Sequence, residues 1–240
     1  MGDPMREVVD PFLAAADGVA GGSYAAVLYG SLARGDFLPD RSDINLLLVF
    51  PAIPSRLLDD LRPALRAWHG RGFPPPLLFT AEEWARALDV HQLELADILS
   101  SYRVLRGSDP VAGLRPDPGL LRRALEREFR GKVLRLRQAY GTAGDDPEAL
   151  GATATASAGT MLVLLRGVVS LHGGPVPAST PALLEAAGRA SGADLAPVAS
   201  VVAHRPDAGW DCSATEFSAY LAAVTAVAHH VDRFDPGVPR

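Results

Sequence analysis

The run Tyr29-Gly30-Ser31-Leu32-Ala33-Arg34-Gly35-Asp36, followed by Ser42-Asp43-Ile44-Asn45-Leu46, constrains this chain more than any other stretch of its 240 residues. Ser23–Tyr29 and Ile44–Phe50 are short apolar runs, each abutting a Gly-, Pro- or Asp-rich segment. That pattern predicts two strands buried in a sheet. Between them stand a Gly-Ser turn and a spacer, residues 32–42, that returns the chain to the second strand. Residues two apart on a strand point to the same side, so positions 43 and 45 share a face. A Gly-Ser turn at the mouth of a helix lets backbone N–H groups approach an anion, and the helix dipole adds a favourable field. Gly30 removes the side chain that would block that approach, and Ser31 adds a hydroxyl donor.

Composition narrows the remaining choices. The length suits one large domain or two modest ones, each able to bury a core. A net charge of -5 gives no general attraction to nucleic acid or to an anionic membrane surface. The single cysteine, Cys212, excludes an internal disulfide and fits a reducing compartment. The N-terminus lacks the basic and apolar regions of a secretory signal. Met161–Leu171, interrupted by Arg166, and Phe217–Ala228 both fall short of the roughly 20 apolar residues of a membrane span. These features predict a cytoplasmic protein that does not engage the membrane.

The first half mixes strand and helix signals. Apolar residues at Leu57, Leu58, Leu61, Leu65 and Trp68 recur with helical period, and Leu77-Leu78-Phe79 reads as a third strand. Thr80, with Glu83 three residues on, predicts a capped helix over Ala81–Leu88. His91–Ile98 reads as a fourth strand or a short helix. Beyond about residue 115 only helices are expected: Pro118–Tyr140, one from the Asp146-Pro147 cap to Leu171, Thr180–Ala190, Leu195–Ala203, and one from Ser213 to Val231. The expected architecture is α+β, a small mixed-sheet domain over residues 1–115 followed by an antiparallel helical bundle over 116–240.

The pattern apolar-Gly-Ser, eleven residues, then Asp-apolar-carboxylate-apolar resembles the nucleotidyltransferase superfamily typified by DNA polymerase beta. It is most similar to the minimal and the kanamycin or streptomycin nucleotidyltransferase branches. The resemblance implies Mg²⁺-dependent transfer of a nucleoside monophosphate from an NTP, ATP or another, to a hydroxyl or phosphate acceptor in a cleft between the two domains. It places Gly30, Ser31 and Arg34 at the nucleotide, and Asp43 and position 45 at the metal, with Asp43 catalytic. In this sequence position 45 is Asn, not a carboxylate. An amide oxygen can ligate a hard cation but brings no charge, and within a metal site that loss amounts to several kcal/mol. The family also takes a third acid, often the base, from a later strand, whereas Pro75-Pro76-Leu77-Leu78-Phe79 holds none. Glu94 is the substitute, with Asp97 beside it. Two readings follow: a weakened enzyme, or a catalytically silent nucleotide-binding or antitoxin-like regulatory protein. Either is compatible with a homodimer.

Other candidates have plainer explanations. Arg123, Arg127, Arg130 and Arg137 form a stripe whose default reading is a solvated helix face, with phosphate or acidic-acceptor contact as the alternative. Arg166 and His172 resemble the Arg-x(4–6)-His signature of HEPN ribonuclease domains, although Gly167 stands where a polar residue is usual. A helix-end pair is the simpler account. His229 and His230 diverge by about 100° on a helix and make poor joint ligands.

Overall fold

A computed structural model describes residues 3–39, 42–205, 207 and 209–237. Asp40 and Arg41 of the motif spacer lie outside them. A π-helical turn, Met5–Val9, opens directly into α1 (Asp10–Ala20). There follow β1 (Ala25–Tyr29), α2 (Ser31–Arg34), β2 (Asn45–Phe50), α3 (Ser55–His69), β3 (Leu77–Thr80), α4 (Ala81–Ala87), α5 (Gln92–Ser100) and β4 (Tyr102–Arg106). Five helices complete the chain: α6 (Pro118–Ala143), α7 (Pro147–Leu171), α8 (Thr180–Ser191), α9 (Ala196–Ala203) and α10 (Ala214–Arg233). The architecture is α+β, as the sequence predicts.

Two compact units share these elements. The first holds α1 to α4 and all four strands, and the second holds α5 together with α6 to α10. In the first unit the sheet order is β3-β2-β1-β4. β1 runs antiparallel to both β2 and β4, while β2 and β3 are parallel and joined through α3. Alternate residues of β1 and β2, Ala26, Leu28, Leu46 and Leu48, join Phe12, Leu13, Leu61 and Trp68 of α1 and α3 in one core. Phe12 meets Trp68 edge-on at 5.2 Å. Asp17 of α1 accepts from Tyr24 Oη at 2.8 Å and from both Arg106 Nε and Nη2, which ties α1 to the end of β4. Its carboxyl is held below the usual range chiefly by the Arg106 hydrogen bond, then by Tyr24.

Local chemistry sets most boundaries. Thr80 Oγ1 accepts from Glu83 N while the Glu83 carboxylate accepts from Thr80 N, and Ser213 with Glu216 repeats that reciprocal cap on α10. Asp146 accepts from Ala149 N at the start of α7. The segment 91–98 is helical, not a strand, and the fourth strand lies beyond it at Tyr102–Arg106. Gln92, Leu95 and Ala96 are buried at helical spacing, which a strand would have split between two faces.

In the second unit α7 is the central helix, packed by α5, α6, α8, α9 and α10. Its 25 residues are long and apolar enough to cross a membrane by length and composition, a span that begins well before the Met161–Leu171 run read from the sequence. Most of that surface is buried inside the unit. A Cβ at Gly167 would stand 2.7 Å from Leu125 Cδ2 and 3.0 Å from Leu93 Cδ1, so the leucines of α5 and α6 pack directly over this glycine and would have to shift to admit a side chain. α6 and α10 run antiparallel: Arg130 pairs with Asp232 near one end, and Tyr140 stacks on Phe217 near the other.

Candidate functional site

The Gly-Ser turn begins where β1 ends. Tyr29, the last residue of β1, pairs in register with Asn45, the first of β2. The turn is thereby fixed beside the segment that carries Asp43. Gly30 adopts φ 78°, ψ -154°, a backbone region open in practice only to glycine. It stands directly beneath Asn45: a Cβ at residue 30 would lie 2.8 Å from Asn45 Nδ2. Ser31 Oγ makes a long 3.5 Å contact with the Asp43 carbonyl, linking the turn to the second strand's entry.

Helix α2 spans only Ser31–Arg34 and stops at Gly35, whose N–H donates to Ser31 O at 2.9 Å. A single turn carries little aligned dipole, so the field expected from a longer helix is small here. What the turn does offer is backbone unobstructed by any side chain at residue 30.

Ile44 is fully buried, while Asp43 is exposed and Asn45 half-buried. That alternation puts Asp43 and Asn45 on the same side, as the two-residue spacing predicts, although the ladder itself starts only at Asn45. Arg34 lies at the end of α2. Its side chain is 6% exposed, and its Nε lies 3.4 Å from Asp36 Oδ1, so the guanidinium is folded into the turn.

The two candidate third acids part company. Asp97 is 8% exposed on α5 and faces Arg166 of α7, 2% exposed, with 4.0 Å between Oδ1 and Nη1. It is part of the second unit's interior. Glu94 is on the same helix, and not on a strand, with an exposed carboxylate 3.8 Å from His91 Nδ1. Among the described residues no group of three or more His, Cys, Asp or Glu side chains could hold a metal ion.

Arg166 and His172, joined in the sequence by a ribonuclease-like spacing, have different partners. Arg166 turns to Asp97, and His172 meets His230 of α10 with 2.9 Å between their Nε2 atoms. The α6 stripe is mostly solvated. Arg130 binds Glu126 and Asp232, and Arg127 lies 3.6 Å from Glu128. Sequence reasoning missed one buried cation: Lys132 of α6, 5% exposed, donates to Ser157 O at 2.9 Å. Burial pushes its pKa down to about 8, with nearby Arg135 acting the same way and Glu128 opposing. No motif marked it, because it stands inside an arginine-rich helix where a lysine reads as surface.

The site is thus a Gly-Ser turn at the end of β1, with an acidic residue at the entry of β2, on a four-stranded mixed sheet. The family model for the nucleotidyltransferase domain matches residues 17–101 of this chain. Among solved structures it is similar to spectinomycin adenyltransferase AAD(9) from Enterococcus faecialis, determined with ATP and spectinomycin. The TM-score is 0.53 at 13% identity, over 95% of this chain and 99% of that one, a likeness of fold. Among curated proteins no sequence matches the chain.

Proposed function

We propose that this protein transfers a nucleoside monophosphate from an NTP to a hydroxyl or phosphate acceptor with the help of Mg²⁺. The observation that carries the reading is Gly30, held against Asn45 in a conformation only glycine adopts, at the strand end where Asp43 enters. A side-chain-free turn beside a carboxylate lets phosphate oxygens approach the backbone while a cation bridges them to the protein.

In this scheme Gly30 and Ser31 hold the phosphates and Asp43 supplies the anionic metal ligand. Arg34 serves the nucleotide indirectly, by holding the turn's shape through Asp36. One carboxylate with one amide suits a single Mg²⁺ coordinated mainly by nucleotide phosphates, and lacks the second charge of a two-ion site. When bound, that ion would neutralise charge developing on the departing pyrophosphate. The acceptor oxygen attacks the α-phosphorus, the bond to the β-phosphate breaks, and the acceptor's proton passes to a base. Of the two carboxylates on α5, Glu94 is exposed, while Asp97 is engaged with Arg166.

The similar structure was determined with ATP and spectinomycin, so ATP with a small polyhydroxylated acceptor is the first pair to assay. The test follows label from [α-³²P]ATP into an acceptor panel, alongside pyrophosphate release, for wild type, Asp43→Ala and Glu94→Gln. Transfer lost in Asp43→Ala supports the reading, and equal transfer in Asp43→Ala refutes the metal assignment. The neutral residue at position 45 favours a second reading, nucleotide binding without turnover. Tight ATP binding with no transfer to any acceptor decides for it.

A further inference from the structure

We infer that Asn45 donates an amide hydrogen bond to a phosphate of the bound nucleotide, so that this site holds a triphosphate with little dependence on a cation. The inference rests on the nucleotide reading above and concerns what residue 45 does within it.

Position 45 is locked in place on three sides. Its backbone is the first rung of β2, paired with Tyr29. The fully buried Ile44 before it fixes the direction of its side chain, on the same side as Asp43. The amide itself lies over Gly30, with Nδ2 2.8 Å from the point a Cβ would occupy and Cγ 3.7 Å from it. The nitrogen end, not the oxygen end, is the one turned toward the turn. A phosphate lying against Gly30 and Ser31 therefore meets the edge of the amide that carries protons.

The chemistry of the two alternatives at this position differs in sign. A carboxylate only accepts hydrogen bonds, so it reaches a phosphate oxygen through an intervening cation or not at all. An amide offers two N–H donors to the phosphate directly, and it leaves Asp43 as the only carboxylate of the pair. With two carboxylates, a metal-free triphosphate is repelled; with one carboxylate and a donor, much of that repulsion is gone. Asn45 is on this view a change of ligand from metal to phosphate, and not merely a lost charge.

Isothermal titration calorimetry with ATP, in Mg²⁺ and in EDTA, tests this on wild type, Asn45→Asp and Asn45→Ala. Wild type should lose less than about tenfold in affinity when Mg²⁺ is removed, and Asn45→Asp at least about a hundredfold. Asn45→Ala, which deletes the donor and adds no charge, should bind about tenfold more weakly in both buffers. The Asn45 side-chain amide resonance, assigned by its loss in Asn45→Asp, should also shift when ATP is added to wild type in EDTA. This readout needs no variant to bind ATP. An unmoved resonance together with wild-type affinity in Asn45→Ala overturns the inference and leaves the nucleotide reading standing. Failure of wild type to bind any NTP in either buffer overturns both.

Discussion

Replacing Gly30 with alanine isolates the physics of the turn. At φ 78°, ψ -154° an L-residue occupies a region that costs on the order of 1–3 kcal/mol. The new Cβ also stands 2.8 Å from Asn45 Nδ2, closer than side-chain atoms sit, so the amide must move or the strand must yield. Together these terms amount to about 3 kcal/mol, or a fall in Tm of roughly 6–12 °C for a chain of this size. Differential scanning calorimetry and urea unfolding read the loss directly. The two causes separate in a double-mutant cycle. In an Asn45→Ala background the contact is gone while the backbone strain remains, so Gly30→Ala should cost about 1 kcal/mol less there. Where the variant is folded, ATP affinity should also drop at least tenfold, about 1.4 kcal/mol. A cost under about 0.5 kcal/mol with unchanged ATP binding would show that residue 30 tolerates a side chain, and the reasoning about the turn would be wrong.

Further outcomes concern the second unit. Asp97→Asn strips Arg166 of its carboxylate partner within the interior and should lower stability by about 3–5 kcal/mol in urea unfolding; a loss under 1 kcal/mol would show that the pair contributes little. Lys132 predicts a pH effect of definite sign. Its folded pKa, about 8, is below the unfolded 10.5, so between those values the unfolded chain binds more protons and stability rises with pH. The 2.5-unit gap bounds the gain at about 3 kcal/mol. Cys212 opposes it, since burial first and Glu216 second raise its thiol from 9.0 to about 11, and stability is lost as pH climbs through 9. Subtracting the curve of Lys132→Met from that of wild type cancels the cysteine, and the difference should rise from pH 7.5 to 10.5; a flat difference refutes the buried-charge account.

What could be read from the sequence was local. The reciprocal caps at Thr80 and Ser213 and the Asp146 cap need only three or four consecutive residues, and each formed where those residues stand. The two strands flanking the motif were legible from their apolar runs, whereas the contact of Gly30 with Asn45 was not, because it depends on how those strands pair across a long spacer. Strand β4 was missed because Tyr-Arg-Val-Leu-Arg, at a sheet edge, carries arginine at its second and last positions, and its apolar content is too thin to stand out. The opening helix was overlooked although Val8, Phe12 and Ala16 fall on one face. Pairings across long stretches of chain, Asp97 with Arg166 and His172 with His230, had no sequence signal, because they depend on which helices become neighbours.

The route of the chain has a consequence for how such a protein can be recombined. After α4 the polypeptide leaves the sheet-bearing unit, contributes α5 to the helical unit, and returns to lay down β4 before α6 begins. A graft that exchanged only the residues after 115 would import a foreign helical set onto the old α5. Leu125 and Gly167 of the donor would then meet a surface other than the Leu93 side they were shaped to receive, and a donor Arg166 would find no Asp97 unless the recipient happened to supply one. Exchange of the helical portion between relatives therefore has to carry Asp89–Ser100 along, through two crossovers flanking α5 and a third before α6. Loss or gain of the whole helical unit by a single recombination event is disfavoured by topology alone, and drift within one lineage is left as the easier route to change in it.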